Sequence, residues 1–258
     1  MTFEFDGKAY QRASSHQQEW GAKLVAELQL QGCESVLDLG CGDGSVTERI
    51  ADAVPKGQVV GIDASKGMLE AARPKARENL QFLLCDIDDL RFEDQFDVVF
   101  SNATLHWVKD HVRLLSSTRV ALRASGRVRF NFAGDGNCSN FFRVVKSVMS
   151  HSDFAADFID FRWPWYMPSV EKYAALAESS GFREVRTWGE NADRAFPTAE
   201  AMIDWIDQPS IVPFLASLPS GKIRAFRDAV VRRMLDETRQ PDGSHFEKFR
   251  RVNISATK

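Results

Sequence analysis

Four acids and one imidazole stand at positions where chemistry could be done. Asp38 and Asp43 flank the glycines of VLDLGCGDGS (residues 36–45), Asp63 closes QVVGIDA, Asp86 closes LQFLLCDI, and His106 lies in ATLHWV. Glycines at 40, 42 and 44 let the backbone turn tightly and let a ligand approach where a Cβ would intrude. Alone, such a turn is a weak signal. It gains weight because it follows an apolar strand, opens a helix at Ser45 and precedes Asp63 by 19 residues from Gly44. An acid at the end of the second strand fits hydrogen bonding to ribose hydroxyls.

Two cofactor classes use this geometry. A nicotinamide site completes G-x-G-x-x-G so that a pyrophosphate rests on the helix N-terminus, but here Ser45 holds the third glycine position. Asp38 and Asp43 would also repel a dianion placed between them. They suit a ligand with an ammonium group and no phosphate, and S-adenosylmethionine, with a sulfonium, an α-amino group and a ribose, is one. Read as a nucleophile, Cys41 has no partnered base in sight, and a small residue tolerated in a tight turn is the simpler reading.

The elements that must position these residues alternate from residue 21. Helix GAKLVAELQL is followed by strand SVLDLG, helix SVTERIADAV, strand QVVGIDA, helix SKGMLEAARPKA and strand LQFLLCDI. Strand and loop FDVVFSNATLHW, a helix around HVRLLSSTRVAL and strand GRVRFNFAG follow. Near-continuous apolar strands alternating with helices predict βαβ units and a parallel sheet covered on both faces. The fold class expected is therefore α/β: a doubly wound, Rossmann-like, mainly parallel sheet of about seven strands, with its ligand at the carboxyl ends of the strands. After Gly134 the rhythm changes. Helical insertions are expected at about 137–175, where aromatics cluster in FRWPWYMP, and at 198–239, forming a lid; REVRTWGE and FRRVNISAT return as strands. The organisation expected is an N-terminal lid helix over 1–20 and a single domain over 21–258.

The bulk numbers narrow the function classes. A chain of 258 residues with 44% hydrophobic and 27% charged content can bury a substantial core. Its formal charge of −3, with both signs interspersed, offers no footprint for a phosphate backbone, so nucleic acid is not an expected partner. The densest basic cluster, Lys222 to Arg233, has the spacing of a solvated helix face. No run of about 18 apolar residues and no signal-like N-terminus occur, so no membrane is expected and the cytoplasm is the expected location. Four separated cysteines (Cys33, Cys41, Cys85, Cys138) form no C-x-x-C pair, so neither a metal site nor a disulfide framework is signalled. A monomer is the default.

Taken in order, these motifs resemble those of class I S-adenosylmethionine-dependent methyltransferases. VLDLGCGDGS is similar to their first motif, GIDASKGMLEAAR to the second, FLLCDIDDL to the third and FDVVFSNATLHWV to the loop after strand four. The resemblance implies S-adenosylmethionine as cofactor and S-adenosylhomocysteine as product. It implies Asp38 near the methionine amino group, with Gly40 and Gly42, and Cys41 between them, lining the methionine moiety. It implies Asp63 on the ribose, Ala64 and Met68 flanking the adenine, Asp86 and Ile87 at the adenine edge, and Asn102 with Ala103 near the sulfonium. Met68 and Ile87 read equally well as core residues, and Asp88 and Asp89 as solvated loop acids. An N-terminal helix in FDGKAYQRASSHQQEWG would bring Tyr10, Gln17 and Trp20 over the cofactor, or would merely cap the sheet edge.

Methyl transfer can proceed largely by holding nucleophile and sulfonium in near-attack geometry. A carboxylate needs no base, whereas a phenol, amine or carbon acid often does, and His106 is the candidate catalytic residue. A loop-orienting or hydrogen-bonding role for His106 is the alternative. The loop lacks the N-P-P-Y or D-P-P-Y of amino-group methylases acting on nucleic-acid bases.

Resemblance to the trans-aconitate methyltransferase group runs further along the chain, through ATLHWVKDH, the segment from YAALAESSGF to IVPFLASL, and FEKFRRVNISAT. One departure is Val212, where that group's pattern has an arginine before P-[WF]-L. Fewer cations and more aromatics, with Trp107, Trp165 and Trp205 in the expected substrate pocket and Trp163 and Tyr166 nearby, point to a less charged or larger acid, although each tryptophan also reads as a packing residue. The function expected is methylation of a carboxylate oxygen of a small-molecule acid. N- or C-methylation with His106 as base, and a non-catalytic module that binds S-adenosylmethionine, are the alternatives, with a nicotinamide oxidoreductase more distant.

Overall fold

Strand β1 (Ser35–Leu39) sits in the middle of the sheet, and its residues from Val36 to Leu39 are buried, as a run of apolar side chains covered on two faces must be. The computed structural model describes residue 21 and residues 23–258. Tyr10, Gln17 and Trp20, and with them the expected lid helix over 1–20, lie outside the described residues.

Around β1 the chain adds β2 (Gln58–Asp63), β3 (Leu80–Leu84), β4 (Phe96–Asn102), β5 (Leu122–Ala133), β6 (Arg183–Asn191) and β9 (Arg250–Thr257). They form a seven-stranded sheet in the order β3-β2-β1-β4-β5-β9-β6, with β1 to β5 parallel and β9 antiparallel to β5. The order reverses between β1 and β4. In a parallel sheet the first connections on either side of such a reversal leave a crevice at the carboxyl ends, here beside Asp38 and Asn102. This is the Rossmann-like architecture expected from the sequence.

The helices begin where their capping residues dictate. Gly44, at φ 77°, starts α1 (Ser45–Ala53); the Ser65 hydroxyl accepts the Met68 N–H and starts α2 (Lys66–Ala72); Asp110 accepts the Arg113 N–H and starts α3 (His111–Ala121). Side chains from both helices and strands, among them Leu37, Leu39, Val99, Leu115, Phe130, Phe132 and Ile254, make one continuous apolar cluster.

The described residues divide into two compact units, the first comprising those up to 134 with 165–190 and 251–258, the second residues 135–164 and 191–250. Of the expected insertion over 137–175, residues 137–164 fall in the second unit and 165–175 in the first. Its last part includes helix α5 (Val170–Ser179), whose Tyr173 and Ala177 are fully buried in the sheet's own apolar cluster. The second unit contains α4 (Ser139–Met149), α6 (Ala199–Trp205), α7 (Val212–Leu215) and α8 (Ser220–Thr238). It also has a small antiparallel sheet that the sequence did not announce, β7 (Arg194–Phe196) with β8 (His245–Glu247), whose three-residue strands are too short to show an alternating pattern. Among the described residues, no helix is long and apolar enough to cross a membrane.

Candidate functional site

The glycine turn is built by local sterics. Gly40 (φ 74°) and Gly42 (φ 57°) occupy the left-handed region that L side chains avoid. The Gly40 and Cys41 N–H groups donate to the Ile62 carbonyl at 2.8 and 2.9 Å, which folds the turn back over β2. A Cβ on Gly40 would overlap the Thr104 side chain, and the Thr104 hydroxyl donates to the Gly40 carbonyl at 3.1 Å. A Cβ on Gly42 would meet nothing within 4 Å, so that side of the turn is open.

Three acids around the turn are held differently. Asp38 is buried at the centre of the sheet, and its carboxylate accepts the Thr47 hydroxyl at 2.7 Å. Burial pushes its carboxyl up to about 7; the Thr47 hydrogen bond opposes that rise and the nearby charge of Asp63 adds to it. Asp63 accepts the Gly42 N–H and the Ser65 N–H, each at 2.9 Å, which ties the turn to the end of β2. Asp43 closes a local turn instead, accepting the Ser45 N–H and hydroxyl at 3.1 and 2.9 Å. Burial, reinforced by Asp38 and Asp63, drives the Cys41 thiol well above its ordinary range, the opposite of what a nucleophile requires.

Of the remaining residues expected on this side, Ala64 lies between Asp63 and the capping Ser65. Met68 and Ile87 are both buried, and Ile87 belongs to the main apolar cluster. Asp86 caps the short turn Ile87–Asp89 by accepting the Asp88 N–H.

The loop after β4 is fixed from several directions. Ala103 adopts φ 60° although it is not glycine, and its N–H donates to the Asn131 carbonyl at 2.7 Å, so the strain is held by the neighbouring strand. A short helical turn, Leu105–Trp107, then carries His106. The His106 Nδ1 is buried with no hydrogen-bond partner among the described residues. Burial, with the positive Arg251 and the His111 ring, lowers His106 to about 3, so the imidazole is neutral at neutral pH.

His111 holds this turn from behind. Its Nε2 lies 3.0 Å from the Leu105 carbonyl and its Nδ1 3.1 Å from the Tyr173 hydroxyl. A carbonyl can only accept, so Nε2 carries the proton and Tyr173 donates to Nδ1. The Tyr166 N–H donates to the His106 carbonyl at 2.8 Å, and the Trp107 and Trp165 rings pack at a tilt of 52°, 5.2 Å between centroids. The structure thus brings His106, Trp107 and Trp165 together. Trp205 belongs to the second unit, where it packs on Phe141, Phe196 and Phe249.

Sequence reasoning missed Thr47, Thr104, His111, Tyr173 and Arg251. Thr47 had a faint signal, three residues from the last turn glycine on the face of α1 that meets β1. The others act across the fold: Arg251 reaches Asn102 from 149 residues away.

A buried acid before an open glycine turn, a second acid at the end of β2 and a reversed strand order are features that fit a class I methyltransferase fold. Comparisons with known proteins agree. A methyltransferase domain model matches residues 36–126. An uncharacterised methyltransferase of Schizosaccharomyces pombe is 30% identical over 98% of both chains. The trans-aconitate 2-methyltransferase of Methylobacterium radiotolerans is 30% identical over 96% of both, and that of an Acidovorax species 28% identical over 98% of both. The chain belongs to the class I S-adenosylmethionine-dependent methyltransferases, and within them it is similar to the trans-aconitate methyltransferase group. Among solved structures, the YcgJ protein of Bacillus subtilis superposes with a TM-score of 0.63 at 16% identity, covering 94% of this chain and 98% of that one. A Haemonchus contortus phosphoethanolamine N-methyltransferase, solved with S-adenosylhomocysteine, gives a TM-score of 0.61 at 20% identity, and this chain spans only 57% of it.

Proposed function

We propose that this protein transfers a methyl group from S-adenosylmethionine to a carboxylate oxygen of a small-molecule acid. The cofactor suits the cradle: Gly42 leaves space where a Cβ would stand, and the buried Asp38 gains most from a cationic group beside it. In this reading Asp38 receives the α-ammonium, Gly40, Cys41 and Gly42 line the methionine moiety, and Asp63 takes the ribose hydroxyls. Ala64, Met68, Asp86 and Ile87 surround the adenine, and Asn102 and Ala103 face the sulfonium. Bound there, S-adenosylmethionine supplies a methyl carbon activated by its sulfonium, which keeps the C–S electron pair and leaves as S-adenosylhomocysteine when an acceptor oxygen bonds to that carbon.

The observation that carries the acceptor class is the state of His106. An imidazole lowered to about 3 is a poor proton acceptor, so it does not suit a phenol, an ammonium or a carbon acid, all of which must lose a proton. A carboxylate has no proton to lose. His106 then orients the acceptor through its neutral ring, and Trp107 and Trp165 exclude water from the reacting atoms.

The test is methyl transfer from methyl-labelled S-adenosylmethionine to a panel of mono-, di- and tricarboxylic acids, followed by mild alkali. Label released by alkali is the result expected for a methyl ester. Alkali-stable label, or cofactor binding with no product on any acid, would contradict the proposal.

A further inference from the structure

One cation lies at the carboxyl ends of β4 and β5, and it comes from the last strand of the chain. The Arg251 Nε donates to the Asn131 Oδ1 at 2.7 Å, and its Nη2 reaches the same oxygen, the Asn131 carbonyl at 3.4 Å and the Asn102 Oδ1 at 3.5 Å. The orientation is set from below. The Asn131 Nδ2 donates to the Asn253 Oδ1 at 2.8 Å, which turns the Asn131 oxygen toward Arg251. The Arg129 Nη2 donates to that same Asn253 oxygen at 2.9 Å. Asn131 and Asn253 are fully buried and directly paired across β5 and β9, so the guanidinium is anchored to the sheet itself.

We propose that the Arg251 guanidinium, held by Asn131 and Asn102 at the carboxyl ends of β4 and β5, binds the carboxylate of the methyl acceptor. The inference rests on the acid-acceptor reading above and assigns it a residue. Three features support it. Arg251 touches Asn102, the residue that reading puts near the sulfonium, so a group bound by the guanidinium lies at the reacting end of the crevice. An anionic acceptor is attracted both to a sulfonium and to a guanidinium at one site, whatever else the guanidinium touches. The planar fork of an arginine also fixes a carboxylate in direction as well as in place, which an in-line displacement requires. The Nδ1 of His106 in the adjoining loop, buried and with no hydrogen-bond partner among the described residues, is a second polar group for the same acceptor.

The experiment compares the full-length protein with Arg251→Gln and Arg251→Lys, using phenylacetate, succinate and trans-aconitate as acceptors. Calorimetric binding of S-adenosylhomocysteine and of each acid to the S-adenosylhomocysteine-loaded protein is read beside methyl transfer. Loss of acid binding and a rise in acid KM of about tenfold or more in Arg251→Gln, partial recovery in Arg251→Lys and an unchanged S-adenosylhomocysteine affinity are expected. A structural role would instead weaken S-adenosylhomocysteine binding in parallel with acid turnover, and would overturn the inference. If wild type methylates acids and Arg251→Gln does so with the same KM, the inference falls and the acid-acceptor reading stands. If wild type binds S-adenosylhomocysteine but neither binds nor methylates any acid, both fall.

Discussion

The two halves of the crevice are built by opposite means. At the ends of β1 and β2, the turn from Leu39 to Ser45 and the acids Asp38 and Asp63 come from 26 consecutive residues and hold one another by short-range hydrogen bonds. At the ends of β4 and β5, His106 is placed by His111, Tyr173 and Tyr166, and Asn102 lies against Arg251, so the loop is defined by segments spread along the chain. A cofactor common to a family can be met by one fixed local device. An acceptor that differs between members is met by residues that the tertiary fold assembles.

The largest expected effect probes a place where the halves touch. In Gly40→Ala the new Cβ overlaps Thr104 and sits at φ 74°, so a loss of about 2 kcal/mol or more of stability is expected in thermal unfolding, together with loss of cofactor binding. Combining it with Thr104→Gly should recover part of the loss, because the overlap goes and the backbone cost stays. Full stability in Gly40→Ala alone would mean the halves are not in contact there.

Within the half proposed for the cofactor, Asp38→Asn removes the charge proposed to meet the ammonium. An affinity for S-adenosylhomocysteine lower by about a hundredfold, measured by calorimetry, is expected, with Thr47→Val smaller at about fivefold. Equal effects from the two substitutions would assign the cost to packing instead of charge.

In the half proposed for the acceptor, His111→Gln and Tyr173→Phe should lower kcat by about tenfold through a misplaced His106 turn, while S-adenosylhomocysteine affinity stays within about twofold. A parallel fall in cofactor affinity would erase the distinction between the halves.

A further effect is in stability against pH. Burial lowers His106 to about 3 and His111 to about 4, below the ordinary 6.5, so the unfolded chain takes up protons before the folded one does. Their contribution is intact above 6.5 and is lost as pH falls toward 4, at up to about 1.4 kcal/mol per pH unit for each group. Asp38 works in the opposite direction, since its raised folded value favours the protonated native state between about 4 and 7. Urea unfolding between about pH 4 and pH 7 should show His111→Gln with a shallower loss than wild type toward acid. An identical slope would remove His111 from the account.

The same division explains what was legible in the sequence. The parallel strands and their helices announced themselves because each is a continuous apolar run followed by an amphipathic one, and the glycine turn because its residues are neighbours in the chain. The acids Asp38 and Asp63 were readable from position alone. The left-handed Ala103 carried no signal, since alanine does not advertise a positive φ as glycine does. Arg251 reads as one of two adjacent arginines in FRRVNISAT, and the pairing of β9 with β5 brings it to Asn131 and Asn102. Residues 165–175 looked like insertion because of their aromatics, yet Tyr173 is buried in the sheet's core, where an aromatic ring packs as readily as in a pocket.

The most direct test of the account is proton release when S-adenosylhomocysteine binds, measured by calorimetry near pH 7 in two buffers of different ionisation enthalpy. A carboxyl that titrates at about 7 when buried alone must ionise fully beside an ammonium. Release of about half a proton per ligand bound in wild type, and none in Asp38→Asn, is the expected result. Binding without release in wild type, at an affinity that Asp38→Asn shares, would contradict the claim that this buried acid is what selects the cofactor.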